Sequence, residues 1–332
     1  MNVTRIAVGV LFVCAATAQL PRVGNVNFYG LRKLTPGEIL SAARVGAGDS
    51  LPASRVVLED RITELPDVME AQVQSVCCEG GRTTLFIGIR ERGEPEIEFR
   101  PAPAAKETLP EDLMARYRSY SGALLRAGLK GNASAAEDAA MHRDQESFRA
   151  YAAAHTLKLR AVLRTAEDEE QRAAAATAIA WSANKKTAVE DLLFALQDPG
   201  EIVRTNVLHS LAAIAQTAGR QPALGIRIAP SQLVDLLNSV VLSDRMESVK
   251  TLLVMTEKSN AAAFDLIRER ALPALAEMAR WATLSYAQPP FQLLGRVAGL
   301  TDPQIDASWE KGGRETVIQQ ALDTAPKKPG LQ

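Results

Sequence analysis

Residues 198–204 read Asp198-Pro199-Gly200-Glu201-Ile202-Val203-Arg204, and Val207, Leu208, Leu211, Ala212 and Ile214 follow at helical spacing. Pro and Gly stop one helix and Glu opens the next. Just upstream, Val189-Glu190-Asp191-Leu192-Leu193-Phe194-Ala195-Leu196 reads as the helix before that turn. The same texture appears 32 residues earlier, where Arg172 precedes Ala175, Ala176, Ile179 and Ala180. Downstream, Asp244, Val249 and Lys250 repeat the Asp-x4-Val-basic spacing, with Leu252, Leu253 and Val254 after them. A lone helix pair of this size cannot cover its own apolar face. A pattern recurring at such a period therefore predicts three or four pairs stacked into a solenoid. Residues 260–325 depart from the pattern.

These units resemble HEAT repeats over about residues 165–320, most clearly in 189–216. The resemblance implies that Asp198 and Arg204 cap the turn and bridge to the neighbouring repeat. It also implies a concave surface of the kind used to hold another protein. A rigid spacer is the plainer alternative.

Nearer the N-terminus the period changes. Val26 and Phe28 alternate with Asn25 and Asn27, which predicts a half-buried strand. Thr35-Pro36-Gly37-Glu38 is a helix start with a capping box. A second helix runs from Ser54 with Val57, Leu58, Ile62 and Leu65 on one stripe, and Pro66 stops it. Val68, Ala71, Val73 and Val76 then lead through Cys77-Cys78-Glu79-Gly80-Gly81-Arg82 into the return strand Leu85-Phe86-Ile87-Gly88-Ile89. The order is β-α-α-β-β. Two helices suffice to cover one face of such a sheet, which leaves the other face and an edge open to a partner.

On Val26-x-Phe28-x-Gly30, Gly48-Asp49-x-Leu51 and Ile62-Thr63-x-Leu65-x-x-Val68, residues 20–92 resemble a POTRA (polypeptide-transport-associated) domain. The resemblance implies a bacterial envelope setting and partner binding by strand addition at the sheet edge. No barrel strands follow, so a barrel-assembly role does not carry over. The fold class is thus a small α+β N-terminal domain, 19–93, followed by an all-α HEAT-like solenoid, 111–325. The Pro-rich linker 94–110 joins them, reading as a semi-rigid joint.

Residues 1–18 read as a signal peptide. Arg5 precedes the apolar run Ile6–Ala18, which ends Ala16-Thr17-Ala18 before Gln19. Thirteen helical residues rise about 20 Å, short of the roughly 30 Å hydrocarbon core. The expectation is an exported protein, periplasmic or secreted, that does not span the membrane after cleavage. Its partners would be proteins of the cell envelope. Among 332 residues, 38 Lys+Arg balance 39 Asp+Glu, which offers no electrostatic footprint for nucleic acid. Three Cys exclude a disulfide-dense scaffold, and 47% hydrophobic residues exclude a disordered protein.

Catalytic signals are sparse. His142, His155 and His209 fall in no metal-ligand spacing, and neither a G-x-S-x-G elbow nor a phosphate-binding G-x-x-x-x-G-K-[ST] loop occurs. The acids Glu167–Glu170 suit a helix start. No catalytic residue, metal ligand or cofactor is predicted. Cys77 and Cys78 admit a vicinal disulfide, a buried reduced pair or an intermolecular bridge. Trp281, Tyr286 and Phe291 read as core anchors, with a groove for a partner helix as the alternative. The sequence therefore points to a non-enzymatic adaptor or scaffold. The alternatives are a hydrolase or redox factor built from distant residues, such as His209 with Asp244, or a structural envelope spacer.

Overall fold

The structure, a computed structural model, describes residues 22–52, 54–79, 81–130 and 134–326. The expected signal peptide lies outside them. The fold opens with β1 (Val23–Tyr29), α1 (Pro36–Ala43), α2 (Val56–Thr63), β2 (Val68–Glu79) and β3 (Arg82–Glu91). The strands form one sheet in the order β1-β3-β2, with β1 parallel and β2 antiparallel to the central β3. At the start of α1, Thr35 Oγ1 accepts from the Glu38 N–H, and the Glu38 carboxylate accepts from the Thr35 N–H. This reciprocal cap satisfies N–H groups that a helix start otherwise leaves bare.

Because side chains alternate along a strand, β3 feeds two cores. Leu85, Ile87 and Ile89 pack with Ile39, Leu58, Ile62 and Val73 under α1 and α2. Phe86, on the opposite face, joins Tyr29 in the core of the helical region. The sheet face expected to be open to a partner is therefore covered by the protein's own solenoid. Gly88 makes the close approach possible, since a Cβ there would sit 2.4 Å from the Val240 carbonyl oxygen and 2.4 Å from the Tyr29 ring.

The helical region comprises α3 (Glu111–Lys130), α4 (Ala135–Thr165), α5 (Glu169–Ile179), α6 (Lys185–Ala195), α7 (Glu201–Arg220), α8 (Ser231–Leu236) and α9 (Leu242–Met255). It continues through α10 (Ala261–Arg270), α11 (Leu272–Ala279), α12 (Leu284–Val297), α13 (Asp302–Glu310) and α14 (Arg314–Leu322). Helices α5, α7, α9 and α12 stack in one row. Beside them α6 packs on α7 and α8 on α9, and α10 meets α8. Stacking thus persists through 260–325, where the sequence repeat fades. Helix α4 opens with a capping box formed by Ser134 and Glu137, and it kinks at His155 (φ −134°, ψ 33°).

The Pro-rich segment is pinned along the solenoid. The Arg100 N–H donates to the Gln197 carbonyl, the Ala105 N–H to that of Thr165, and the Glu167 N–H to that of Ala105. The Arg204 guanidinium lies 3.9 Å from the centre of the Phe99 ring.

Candidate interaction site at the sheet–solenoid junction

Three arginines occupy equivalent places near the starts of α5, α7 and α9. Arg172 Nη1 donates to the carbonyls of Ala166 and Glu167, and Arg204 Nη1 to those of Asp198 and Pro199. Arg245 Nε donates to the carbonyl of Ser239, again six residues back. Each fork thereby ties down the turn before its own helix.

The carboxylates facing these forks differ. Arg172 holds Asp198 through two bonds of 2.8 Å, while Asp198 Oδ1 also accepts from the Gly200 N–H. Arg204 holds Asp244 through two bonds of 2.9 Å. Asp244 comes from within α9 and is tied to Ser239 Oγ at 2.8 Å. Ser239 in turn accepts from the Val241 N–H, as Asp198 does from Gly200. The third unit's counterparts of Asp198 and Arg204 are therefore Ser239 and Arg245, whereas the spacing aligns Asp244 and Lys250 with them. Burial raises the Asp244 carboxyl above the ordinary aspartate value, with the Arg204 fork pulling the other way. At Arg245 the facing acid is Glu277, whose Oε2 stands 3.5 Å from Nη1, and that nitrogen makes no hydrogen bond.

Glu277 is engaged elsewhere. Both its oxygens accept from the Gly30 N–H, at 2.9 and 3.0 Å. Gly30 has a φ of +82°, and a Cβ there would lie 2.0 Å from the Ile89 carbonyl oxygen. Burial pushes the Glu277 carboxyl up, with Arg245 and the Gly30 N–H opposing the shift. Around it the sheet docks through directional bonds. Trp281 Nε1 donates to the Phe28 carbonyl at 3.0 Å and the Tyr29 hydroxyl to the Val240 carbonyl at 2.9 Å. Asn27 donates to Thr283 Oγ1 at 2.8 Å and accepts from the Ala282 N–H at 2.9 Å. The Arg245 guanidinium lies 4.6 Å from the Tyr29 ring centroid.

Beside this dock runs a cleft of about 670 Å³, walled by the end of the sheet, the segment 94–99 and helices α8 and α11. Its charged walls pair off as Arg90 with Glu70 and Glu96, Arg32 with Glu94, and Arg270 with Asp235. Next to Arg90 in sequence, Glu91, 1% exposed, accepts from the N–H groups of Arg32, Lys33 and Leu34 at 2.7–3.1 Å. Against the penalty of burial, these bonds hold its carboxyl below the ordinary glutamate value.

The sequence-predicted residues are placed as follows. Trp281 packs against Phe86 (centroids 5.0 Å apart) and Tyr29, and Tyr286 against Phe86 at 4.7 Å. Phe291 is buried beside Trp309. The space for a partner helix against Trp281 and Tyr286 is filled by the protein's own sheet. Cys77 is an exposed residue near the end of β2 and is disulfide-bonded, while the side chain of Cys78 lies outside the described residues. Asp244 pairs with Arg204 and Ser239, whereas His209 contacts Glu247 at 3.0 Å on the surface. The acid run is absorbed structurally. Asp168 caps α5, Glu169 accepts from the Ile202 N–H, Glu170 pairs with Arg118, and Glu167 with Lys106.

Sequence reasoning missed Asn27, Glu91, Arg245 and Glu277. Only Arg245 left a signal, an Arg six residues after a turn residue as at Arg204. Among the described residues no cluster of His, Cys, Asp and Glu could hold a metal ion, and no helix is long and apolar enough to cross a membrane.

Residues 156–228 match the family model for HEAT repeats. The match begins one residue beyond the His155 kink and spans the rest of α4 together with α5, α6 and α7. The helical region is accordingly an α-solenoid with HEAT repeats in its first half. No curated protein matches this sequence.

Proposed function

We propose that this protein is an exported, non-enzymatic scaffold that binds protein partners through its solenoid and through the β2 edge of a POTRA-like sheet domain. The observation that carries this reading is the docking itself. Edge strand β1 is bound to the solenoid at Phe28 and Gly30. Edge strand β2, in contrast, pairs only with β3 among the described residues. An unpaired strand edge offers backbone groups to an incoming segment. Glu59, which accepts from the Val73 N–H at 2.8 Å, marks the outward-facing side of β2 and would be displaced on binding. HEAT repeats generally serve protein–protein association, which supports the same role for the solenoid. A disulfide at Cys77 suits an oxidising compartment, in keeping with export.

The test is crosslinking of the tagged full-length protein in intact cells, followed by mass spectrometry, with N-terminal sequencing of the recovered protein. A stoichiometric partner lost on Ser75→Pro, at an outward-facing position of β2, supports edge binding. An unprocessed N-terminus, or no partner at two crosslinker lengths, argues against the reading.

A further inference from the structure

We propose that the Arg245 fork is a receptor for a carboxylate brought into the junction cleft by a peptide segment of a protein partner. The inference deepens the scaffold reading and rests on it for the identity of the donor. It is carried by a comparison within the molecule. Arg172 and Arg204 occupy the same structural position as Arg245, and each closes its fork on an aspartate through two bonds of 2.8–2.9 Å. Arg245 is equally buried, 2% exposed, yet its one hydrogen bond is from Nε to a carbonyl. Its Nη1 is buried and makes no hydrogen bond among the described residues, with Glu277 Oε2 3.5 Å away. A buried donor left unmade is costly, and guanidinium geometry favours a bidentate carboxylate.

Where the first two forks hold an aspartate through two bonds, Arg245 faces Glu277, whose Oε2 stands 3.5 Å from Nη1 without a hydrogen bond because that carboxylate is committed to the Gly30 N–H. Arg245 also lines the cleft, where all four arginines have an acid at 3.2–3.6 Å, Glu277 being the one at Arg245. The cleft carries five acidic residues against four arginines, which disfavours a phosphate dianion or a polyanion. A monoanion flanked by apolar groups suits it, since Ile97, Phe99, Leu236 and Val241 share the walls. Either the C-terminal carboxylate of a peptide or an Asp or Glu side group supplies such a monoanion.

The experiment titrates the full-length protein while following the Arg245 Nε–H resonance by ¹H–¹⁵N NMR, assigned from its absence in Arg245→Lys. The probes are N-acetyl-leucine, N-acetyl-aspartic acid α-amide, N-acetyl-leucine amide and inorganic phosphate. Saturable binding of either acid, at least tenfold weaker in Arg245→Lys, is expected. Preference for N-acetyl-leucine identifies a C-terminal carboxylate, and preference for the aspartyl probe identifies an acidic side group. Equal binding of the neutral amide, phosphate binding as tight as the acids, or no binding overturns the proposal.

Should Arg245→Lys fail to fold by circular dichroism, Gln232→Trp on the cleft wall leaves the fork intact and is expected to abolish binding by filling the cleft. Unaltered binding in that variant also overturns the site. A silent titration with partner capture intact overturns the Arg245 site alone. Carboxylate binding with no captured partner supports the receptor and overturns the scaffold reading.

Discussion

Inside the solenoid, successive repeats are joined by two buried Arg–Asp forks, Arg172–Asp198 and Arg204–Asp244, whose arginines hold the same place near the starts of α5 and α7. At the sheet, one docking surface is assembled from residues some 250 positions apart, with aromatic rings and single hydrogen bonds replacing ion pairs. The difference follows from how each contact arises. A repeat meets its neighbour at the same place along each stacked helix, so one Arg can recur there at Arg172, Arg204 and Arg245. The dock occurs once, so its contacts have no periodic copy. The two regions should also fail differently, because a broken ion pair strands a charge whereas a truncated ring loses packed area.

The largest effect is expected from Asp244→Ala, which leaves the buried Arg204 guanidinium unpaired. We expect a loss of roughly 3–5 kcal/mol in denaturant unfolding of the full-length protein. The double change Arg204→Met with Asp244→Leu should recover much of it, since an apolar pair of similar volume strands no charge. No recovery would show that the fork orders the repeats in a way packing cannot replace.

Phe86→Ala should cost about 3 kcal/mol. Its effect should be local, with faster hydrogen exchange at Gly30 and Ala282 while α5 and α7 stay protected. Equal acceleration in α5 and α7 would mean that sheet and solenoid form one cooperative unit. Asn27→Ala should give the same exchange pattern at a smaller cost, about 1–2 kcal/mol, through its lost bonds to Thr283 and Ala282.

The smallest effect concerns pH. Despite burial, contact with His209 and Lys250 holds the Glu247 carboxyl down at about 2, against an ordinary 4.5. A depressed carboxylate stabilises fully above its unfolded value and loses that contribution as pH falls from 4.5 through about 2. His209 is 45% exposed, so the loss should be under about 1 kcal/mol and should shrink in salt. His209→Gln should flatten this part of the acid-stability curve. An unchanged curve would remove His209 from the account.

The repeat at 198–214 is legible because Pro, Gly and an apolar stripe are local signals. Its continuation at 231–255 is offset by five residues when Asp244 is aligned to Asp198, because both are aspartates before a Val-basic pair. Only the hydrogen bonds show that Ser239 holds the turn and that Asp244 reaches back to Arg204. Trp281 illustrates a different limit. Its apolar surroundings mark it as buried or binding, but nothing local says that Phe86, nearly two hundred residues away, covers it.

The sequence by itself determined the capped start of α1, that the helices must stack, and which turn residues punctuate the repeat at 198–204. These outcomes follow from capping, periodicity and the inability of a single helix pair to bury its apolar face. Tertiary structure alone decided which sheet face is covered, that Glu277 serves Gly30, and that Arg245 faces a cleft without the aspartate its counterparts hold. Those outcomes depend on groups brought together from distant parts of the sequence, where distance and direction set the partners and spacing along the sequence does not.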